Sequence, residues 1–397
     1  MSAETEQGSR RELQAIVLSG CGCSSPATYG VGVMKALIKG GLAHLDDAVP
    51  FDPDIYSGSG FGAFNAAVMA SQAGGSTAAA LGYLEEAWLE GICSTATRAN
   101  GVYRLRANPL TFFDSSAYQT GFVGPLANMI KDLAFLSSDL AGRVRANFGP
   151  DASGSLLKRL LSMPAMTPLF DMTPLQEQLK KYVDLDRIRN SSKELMVVAS
   201  DWERGMPCIF RRPDMTDDVG HKALQASAAF TLAFPFVEIN GRPFMGAPGT
   251  MATPLNPVID TYAPKASRLT VHVVYLDPLM KDIPIDKPDN ALGGLGRWFT
   301  LNESVNISAE PEYASGPVPK SKPATDTPVV IHRYRPKKII VDWFNTFGFD
   351  AEMTRDFIEQ GYRETRVHNC DAEGCTLAPQ GVTSPVSTPH AGIAASC

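Results

Sequence analysis

One stretch decides the fold of this chain: Asp54-Ile55-Tyr56-Ser57-Gly58-Ser59-Gly60-Phe61-Gly62-Ala63-Phe64-Asn65-Ala66-Ala67. Its order predicts the end of a strand, a tight glycine turn and the start of an alanine-rich helix. That order is typical of a nucleophile elbow, in which a G-x-S-x-G turn lifts a serine above a parallel sheet. Gly58 and Gly62 take the two flanking glycine positions, but Gly60 stands where the serine is expected. The sequence therefore predicts the elbow without its nucleophile.

A second glycine turn follows the first predicted strand, Leu13–Ser19. It reads Gly20-Cys21-Gly22-Cys23 and leads into a helix predicted over Tyr29–Ile38. Strand, glycine turn and helix form the order of an anion-binding loop, whose backbone N–H groups face an anion at the helix N-terminus. A plain strand-to-helix turn shows the same short pattern, so both interpretations stand at this point.

The remaining pattern alternates strands with helices. Further strands are predicted at Phe51–Ser57, Glu194–Ser200, Cys208–Arg211, Leu269–Leu276, Val329–Tyr334 and Lys338–Val341. Further helices are predicted at Ala63–Ser71, Thr77–Glu90, Pro125–Leu136, Gly154–Met163, Lys222–Phe230 and Phe349–Gly361, with a helix after Thr173 as N-cap and a hairpin over Phe236–Met245 around Asn240-Gly241. This alternation predicts an α/β fold with a mostly parallel sheet covered on both faces. Ligands of such sheets bind at the carboxyl ends of the strands, where both glycine turns fall.

Composition excludes several classes of protein. A net charge of -6 and a pI near 5.6 argue against a general nucleic-acid binder. Residues 1–12 are polar and are predicted to be disordered, residues 13–365 to form one large domain, and residues 366–397 to be a disordered tail. No apolar run is long enough to span a bilayer, and seven irregularly spaced cysteines indicate a reducing compartment. We therefore expect a cytoplasmic protein, with peripheral membrane contact left open.

Taken together, the motifs resemble the patatin-like phospholipases, which are Ser–Asp dyad acyl hydrolases on a three-layer α/β/α fold. That family shows G-G-G-x-[KR]-G after the first strand, G-x-S-x-G at the elbow and D-G-[GA] further on. The resemblance covers Leu13–Thr365. The segments that carry it are Ser19–Gly22, Gly32–Leu37, Gly58–Ala67, Asp171–Leu175, Ala223–Phe234, Gly241–Met245 and Phe357–Tyr362. The resemblance implies the family's fold and a lipid acyl ester as the ancestral substrate.

The departures from the family pattern fall at the positions of the catalytic residues and of the oxyanion loop. Gly60 occupies the nucleophile position. Counting back from Pro254, the position of the catalytic aspartate falls on Gly246, and Ala252 replaces the family's asparagine. The oxyanion loop implied by the resemblance consists of Gly20, Cys21, Gly22 and Cys23, with Cys21 in place of its middle glycine. The resemblance therefore implies the scaffold of the hydrolase with its nucleophile and base missing.

Dyad hydrolysis needs a hydroxyl nucleophile, a base within hydrogen-bond reach and N–H donors for the oxyanion. Because glycine supplies neither of the first two, the leading hypothesis is a catalytically silent protein that binds a lipid or fatty-acyl ligand or regulates a partner. The alternative is an active acyl-ester hydrolase with another nucleophile, or an inactive form made by replacing both residues. Ser59 is the fallback nucleophile, and a Cys21 or Cys23 thiol is a weaker one. A third class is a scaffold whose amphipathic helices contact a membrane or a partner protein.

Two further groups are candidates for a catalytic or metal-binding role. Asp201 follows a buried strand as a candidate acid, and the resemblance implies a structural role for it. The pattern His368-x-Cys370-x4-Cys375 lacks a second ligand pair for zinc. We expect neither a metal nor a cofactor.

Overall fold

A computed structural model defines the fold. It describes residues 10–20, 25–39, 51–93, 101–102, 104–105, 170–230, 234–246, 251–278, 282–283, 297, 301, 327–340, 350–365 and 369–370. The loop residues Cys21–Cys23 and the predicted helices Pro125–Leu136 and Gly154–Met163 lie outside these ranges.

The described elements alternate between strand and helix, as predicted. The strands are β1 (Glu12–Leu18), β2 (Ile55–Ser59), β3 (Arg104–Leu105), β4 (Phe170–Asp171), β5 (Glu194–Asp201), β6 (Met206–Arg211), β7 (Val237–Ile239), β8 (Arg242–Met245), β9 (Arg268–Val274), β10 (Val329–Tyr334) and β11 (Asn369–Cys370). The α-helices are α1 (Ala27–Ile38), α2 (Phe61–Ser71), α3 (Thr77–Glu86), α4 (Thr173–Tyr182), α5 (Leu185–Arg189), α6 (Gly220–Ala228), α7 (Leu255–Tyr262) and α8 (Ala351–Glu364).

A mostly parallel sheet forms the middle layer. Its strands lie in the order β11-β10-β9-β1-β2-β5-β8-β7, and β6 pairs with β5. The five central strands, from β10 to β5, run parallel to one another, whereas β11, β6, β8 and β7 pair antiparallel. The predicted mixed α/β architecture with a mostly parallel central sheet is therefore confirmed.

Apolar cores cover both faces of this sheet, because successive side chains of a strand point to opposite faces. Ile16 and Leu18 of β1 belong to the core that contains residues of α1, α2, α6 and α8. Ala15 and Val17 belong to the second core, which α7 covers. The sheet is thus the middle of three layers, and its central strands are apolar on both sides.

The hairpin predicted around Asn240-Gly241 is confirmed. Asn240 has φ of 51° and Gly241 has φ of 74°, and the two residues connect β7 to β8. Positive φ at both central residues is typical of the type I′ turn that two-residue hairpins favour. This hairpin places β8 against the carboxyl end of β5.

Some predicted boundaries differ from the observed ones. The strand predicted from Phe51 begins only at Ile55, after Pro53, which has no N–H to donate to a ladder. The helix predicted over Thr77–Glu90 ends at Glu86 and continues as a π-helix, Ala87–Ile92. The strand predicted at Lys338–Val341 is wrong for its described part, since residues 338–340 are not in a strand. Asn369–Cys370, in the segment predicted as a tail, pairs with β10.

The cap of α4 also differs by one residue. Thr173 was predicted as the N-cap, but it is the first helical residue and Met172 is the cap. Asp171 carries out the capping chemistry, because its Oδ1 accepts from the Thr173 backbone N–H at 3.1 Å and from Thr173 Oγ1 at 2.9 Å. A carboxylate at a helix N-terminus also stabilises the helix, because its negative charge interacts favourably with the helix dipole.

The terminal helix α8 crosses α1 with backbone against backbone. A Cβ added to Gly32 would lie 1.9 Å from the Ile358 carbonyl oxygen, and one added to Gly361 would lie 2.1 Å from the Tyr29 carbonyl oxygen. Only glycine at both positions allows this approach. Because α1 follows the first glycine turn, α8 holds the helix behind that turn in place.

The crossing predicts the effect of adding one methyl group. Gly32→Ala should lower the free energy of unfolding by about 2–3 kcal/mol, since the two backbones must move apart. Gly82→Ala is the matched control, because Gly82 lies within α3 with no atom within 4 Å of its added Cβ. It should instead gain about 0.5–1 kcal/mol from the higher helix propensity of alanine. Urea denaturation of both variants measures the difference, and equal shifts would contradict the close crossing.

No helix in the described part of the chain is both long and apolar enough to cross a membrane.

Candidate functional site

The elbow consists of the end of β2, Gly60 and the start of α2. Ser59 is the last residue of the strand and Phe61 the first of the helix. Gly60 between them has φ of 58° and ψ of -136°. This combination lies outside the regions open to residues with a side chain, whereas glycine adopts it at little cost. The chain therefore makes the predicted strand–turn–helix reversal at the predicted residue.

Backbone contacts around the elbow explain its small residues. A Cβ on Gly58 would lie 2.4 Å from the carbonyl carbon and oxygen of Gly62. A Cβ on Gly62 would lie 2.4 Å from the Leu18 carbonyl oxygen at the end of β1. The start of α2 therefore rests on β2 and β1 with no side chain between them.

The first glycine turn begins against this same elbow. A Cβ on Gly20 would lie 1.7 Å from the Ser59 carbonyl oxygen and 2.8 Å from Gly60 Cα. Gly20 donates its N–H to the Ala252 carbonyl at 3.2 Å, and the hydroxyls of Ser19 and Thr253 lie 2.7 Å apart. The residues predicted as the oxyanion loop therefore start beside the elbow, although Cys21, Gly22 and Cys23 are outside the described ranges.

Gly246 approaches the elbow from the other side, along the edge of β5. Ser59 pairs with Val198, and Met245 pairs with Ser200. Since β6 pairs with residues 196–201 of β5, β2 and β8 share the opposite edge of that strand. Gly60 and Gly246 therefore meet beside Ala199.

Ser227 connects the two glycines, although sequence reasoning gave it no role. Its Oγ accepts a hydrogen bond from the Gly60 N–H at 2.9 Å and donates to the Val198 carbonyl at 2.6 Å. Its carbonyl oxygen would lie 2.8 Å from a Cβ on Gly246. Its only sequence signal was a serine within a small-residue helix, because the bond to the elbow spans 167 positions of the chain.

Comparisons with known proteins identify the family of this chain. Residues 16–247 match the model of the patatin-like phospholipase family, which is more than half of the chain. The chain belongs to this family. No curated protein matches it. The solved structure of VipD from Legionella pneumophila matches at 12% identity and a TM-score of 0.36, over 90% of this chain and 66% of that one. The chain thus spans just under two thirds of VipD, and a likeness of this strength carries no further argument.

Gly60 and Gly246 stand at the two positions where the resemblance predicts the catalytic side chains. Gly246 also has little room for one. A Cβ there would lie 2.8 Å from the Ser227 carbonyl oxygen and 2.9 Å from that of Ala229, which already accepts the Gly246 N–H at 2.7 Å. An aspartate at this position would require a backbone shift.

Ser59, the predicted fallback nucleophile, is fully buried. Its Oγ has no hydrogen-bond partner within the described part of the chain. Strand alternation places it on the same face as Ser57 and Ile55, the face that α7 covers. In this arrangement the hydroxyl meets neither solvent nor a base, so attack by Ser59 would need the elbow to open.

Asp201 is occupied within the turn that follows β5. It is 2% exposed and forms ion pairs with Arg242 and with Arg204, the latter at 3.8 Å. Its Oδ1 also accepts from the Arg204 backbone N–H at 3.2 Å. These contacts fix the β5–β6 turn to the β7–β8 hairpin and support the structural role implied by the resemblance.

Asn65 is a second residue that sequence reasoning left without a role. Its side-chain amide donates to the Ala27 carbonyl at 2.9 Å and accepts from Trp88 Nε1 at 2.7 Å. The rings of Phe61 and Phe64 lie 5.6 Å and 5.8 Å from the Trp88 ring. The elbow helix is therefore fixed to the start of α1 and to the π-helix by one buried amide in an aromatic core.

A polar cleft of about 440 Å³ lies away from the elbow. Its lining includes Gln72, Tyr83 and Lys181. Gln72 follows the C-terminal end of α2, whereas the elbow is at the N-terminal end of this 11-residue helix. The cleft is thus at the opposite end of the sheet from the elbow. Among the described residues, no group of three or more histidine, cysteine or acidic side chains is placed to hold a metal ion.

The bond between Ser227 and Gly60 predicts a loss of stability on its removal. Ser227→Ala leaves the buried Gly60 N–H without its acceptor, so the free energy of unfolding should fall by about 1–3 kcal/mol. Ser71→Ala is the control, because Ser71 is also buried but donates only to the Val68 carbonyl of its own helix. Denaturation in urea compares them. A Ser227→Ala variant as stable as Ser71→Ala would show that this bond does not hold the elbow.

The backbone conformation of Gly60 predicts that a serine at this position lowers the stability of the fold. Gly60→Ser should lower the melting temperature, since a side chain in this conformation costs about 1–3 kcal/mol. Gly74→Ser, at an exposed turn with no atom within 4 Å of the added Cβ, should change stability by less than about 0.5 kcal/mol. Calorimetry of both variants decides the point, and a rise in the melting temperature of Gly60→Ser would refute it.

Proposed function

We propose that this patatin-like protein does not hydrolyse esters by the Ser–Asp route and instead binds a lipid acyl chain, as a lipid-binding or regulatory protein. The observation that carries the proposal is the meeting of Gly60 and Gly246 beside Ala199, with no side chain at either position. Without a hydroxyl and a base, the covalent mechanism of the family has neither its nucleophile nor its proton acceptor.

The retained scaffold supports binding rather than a general loss of function. Gly20, Gly58 and Gly62 still allow backbone contacts that any side chain would prevent. The elbow helix also keeps its apolar packing, since Phe61, Phe64 and Trp88 are buried in the core. Ligand sites are typically concave and mostly apolar, with few polar groups. A fatty-acyl ligand, and contact with the membrane that supplies it, fit this chemistry in a cytoplasmic protein.

The main test measures hydrolysis and ligand content of the same preparation. We expect no turnover of a fluorogenic acyl ester and no mass shift after fluorophosphonate treatment, because no activated serine is present. We also expect acyl chains in an organic extract of the purified protein, detected by mass spectrometry. Turnover with one adduct would contradict the proposal and favour an active hydrolase. An extract without acyl chains, together with no uptake of added fatty acid, would contradict the binding half.

Two variants sharpen this test. If an adduct forms, Ser59→Ala distinguishes Ser59 from any other serine, since it removes one hydroxyl at a buried site. The double variant Gly60→Ser with Gly246→Asp asks whether the dyad positions alone separate this chain from an active enzyme. We expect no hydrolysis from it, because the Cβ of residue 246 would lie under 3 Å from two carbonyl oxygens. Recovery of hydrolysis would instead favour an enzyme whose two residues had simply been replaced.

A further inference from the structure

Two exposed aromatic side chains of the described residues, Trp202 and Phe236, contact each other at one corner of the sheet. The side chain of Trp202 is 48% exposed, that of Met206 53% and that of Phe236 50%. Within the described ranges, no other large hydrophobic residue is exposed. The rings of Trp202 and Phe236 are 5.4 Å apart. Met206 pairs with Asp201 in the β5–β6 ladder and therefore lies on the face opposite to Trp202. We call Trp202 and Phe236 the aromatic corner.

The backbone beneath this corner is firmly held. Trp202 donates its N–H to the Pro243 carbonyl at 3.0 Å, which ties the β5–β6 turn to β8. The buried Asp201 accepts the Arg242 guanidinium from β8 and the Arg204 backbone N–H from the turn itself. The aromatic side chains are therefore presented at fixed positions on two adjoining hairpins.

The fold gives no reason for this exposure. Single exposed apolar residues are normal on a protein surface, but a contiguous group at one place usually marks an interaction surface. Trp202 and Phe236 contact each other yet each keeps about half of its surface open. Burial of that remaining surface against an apolar partner would be favourable.

The corner lies at the same end of the sheet as the candidate site. Gly60 and Gly246 meet beside Ala199, and Trp202 is three residues further along the same chain direction. At a rise of about 3.3 Å per strand residue, this is a separation of roughly 10 Å. A surface that docks on the corner would therefore face the end of the sheet where the elbow opens.

We propose that the aromatic corner docks this protein on the surface of a phospholipid bilayer. Tryptophan and phenylalanine bury an apolar ring at the boundary between water and lipid, and the indole N–H of tryptophan stays hydrated there. Arg204, in the turn between Trp202 and Met206, has an exposed side chain, and a long basic side chain of this kind can bury its apolar stem while its charge stays at the polar surface. Docking in this way brings the elbow end of the sheet to the lipid.

The charges around the corner define the mode of binding. Arg204 and Arg242 are balanced by Asp201, which pairs with both, and by the exposed Glu203 and Glu238. With no excess of positive charge there, attraction to anionic lipid is not the driving force. The driving force is instead the insertion of the aromatic rings into the lipid. Binding should therefore occur on neutral phosphatidylcholine and persist at high salt.

This inference shares a lipid with the proposed function but concerns a different surface, so the two fail separately. Loss of the corner should abolish vesicle binding while acyl chains remain in the purified protein. Conversely, a protein that carries no acyl chain but still binds vesicles would overturn the proposed ligand and leave the docking surface intact.

The test is cosedimentation of the full-length protein with phosphatidylcholine vesicles. We expect the wild-type protein to bind both at about 0.1 M salt and at about 1 M salt, where exposed charges are largely screened. The double variant Trp202→Ala with Phe236→Ala should bind at least about tenfold more weakly, because two inserted rings are lost. Tyr83→Ala, which removes an aromatic side chain at the opposite end of the sheet, should bind as the wild type does.

Several outcomes would overturn the docking surface. These are no binding of the wild-type protein to vesicles, equal binding of the double variant, or binding that needs anionic lipid and is lost at high salt. A wild-type dimer that becomes monomeric in the double variant, with no vesicle binding by either, would assign the corner to a second copy of the chain. The melting temperature of each variant checks that a loss of binding is not a loss of folding. As a second measurement, brominated lipid should quench the fluorescence of the wild type more than that of Trp202→Phe.

Discussion

The structure depends on direct backbone contact at the elbow. The starts of α2 and of the first glycine turn lie against the ends of β1 and β2 so closely that Gly20, Gly58 and Gly62 cannot carry a Cβ. Ser227 completes this arrangement by joining the Gly60 N–H to the Val198 carbonyl of β5. Protein interiors of this density transmit any change to their neighbours, so the elbow constrains three strands and two loops at once.

This constraint is independent of catalysis. A serine at the tip of an elbow would occupy a conformation that costs free energy, and Gly60 removes that cost. Gly246 likewise lets β8 end against the carbonyls of Ser227 and Ala229. The chain therefore keeps the close packing of the elbow with glycine at both positions where the resemblance predicts the catalytic side chains.

The sequence predicted the elements well where the local pattern was strong. The order of strands and helices, the Asn240-Gly241 hairpin and the elbow residue all follow from short-range rules, such as glycine at positive φ and buried apolar runs. It failed where the outcome depended on distant partners. Lys338–Ile340 is apolar enough for a strand but has no ladder partner in the described residues, and Met172 rather than Thr173 is the N-cap of α4, with the Asp171 carboxylate accepting from the Thr173 N–H. Hydrogen-bond partners of this kind are not encoded in a local pattern.

By itself, the sequence determined the α/β class and the family resemblance, and it predicted glycine at both catalytic positions, because these follow from residue identity and spacing. Only the tertiary structure decided that Gly60 and Gly246 share one edge of β5, that Ser227 and Asn65 fasten the elbow, and that Trp202 and Phe236 contact each other at the surface. The physical reason is that these contacts join residues far apart in the chain. Such contacts are set by strand register and packing, which no local preference specifies.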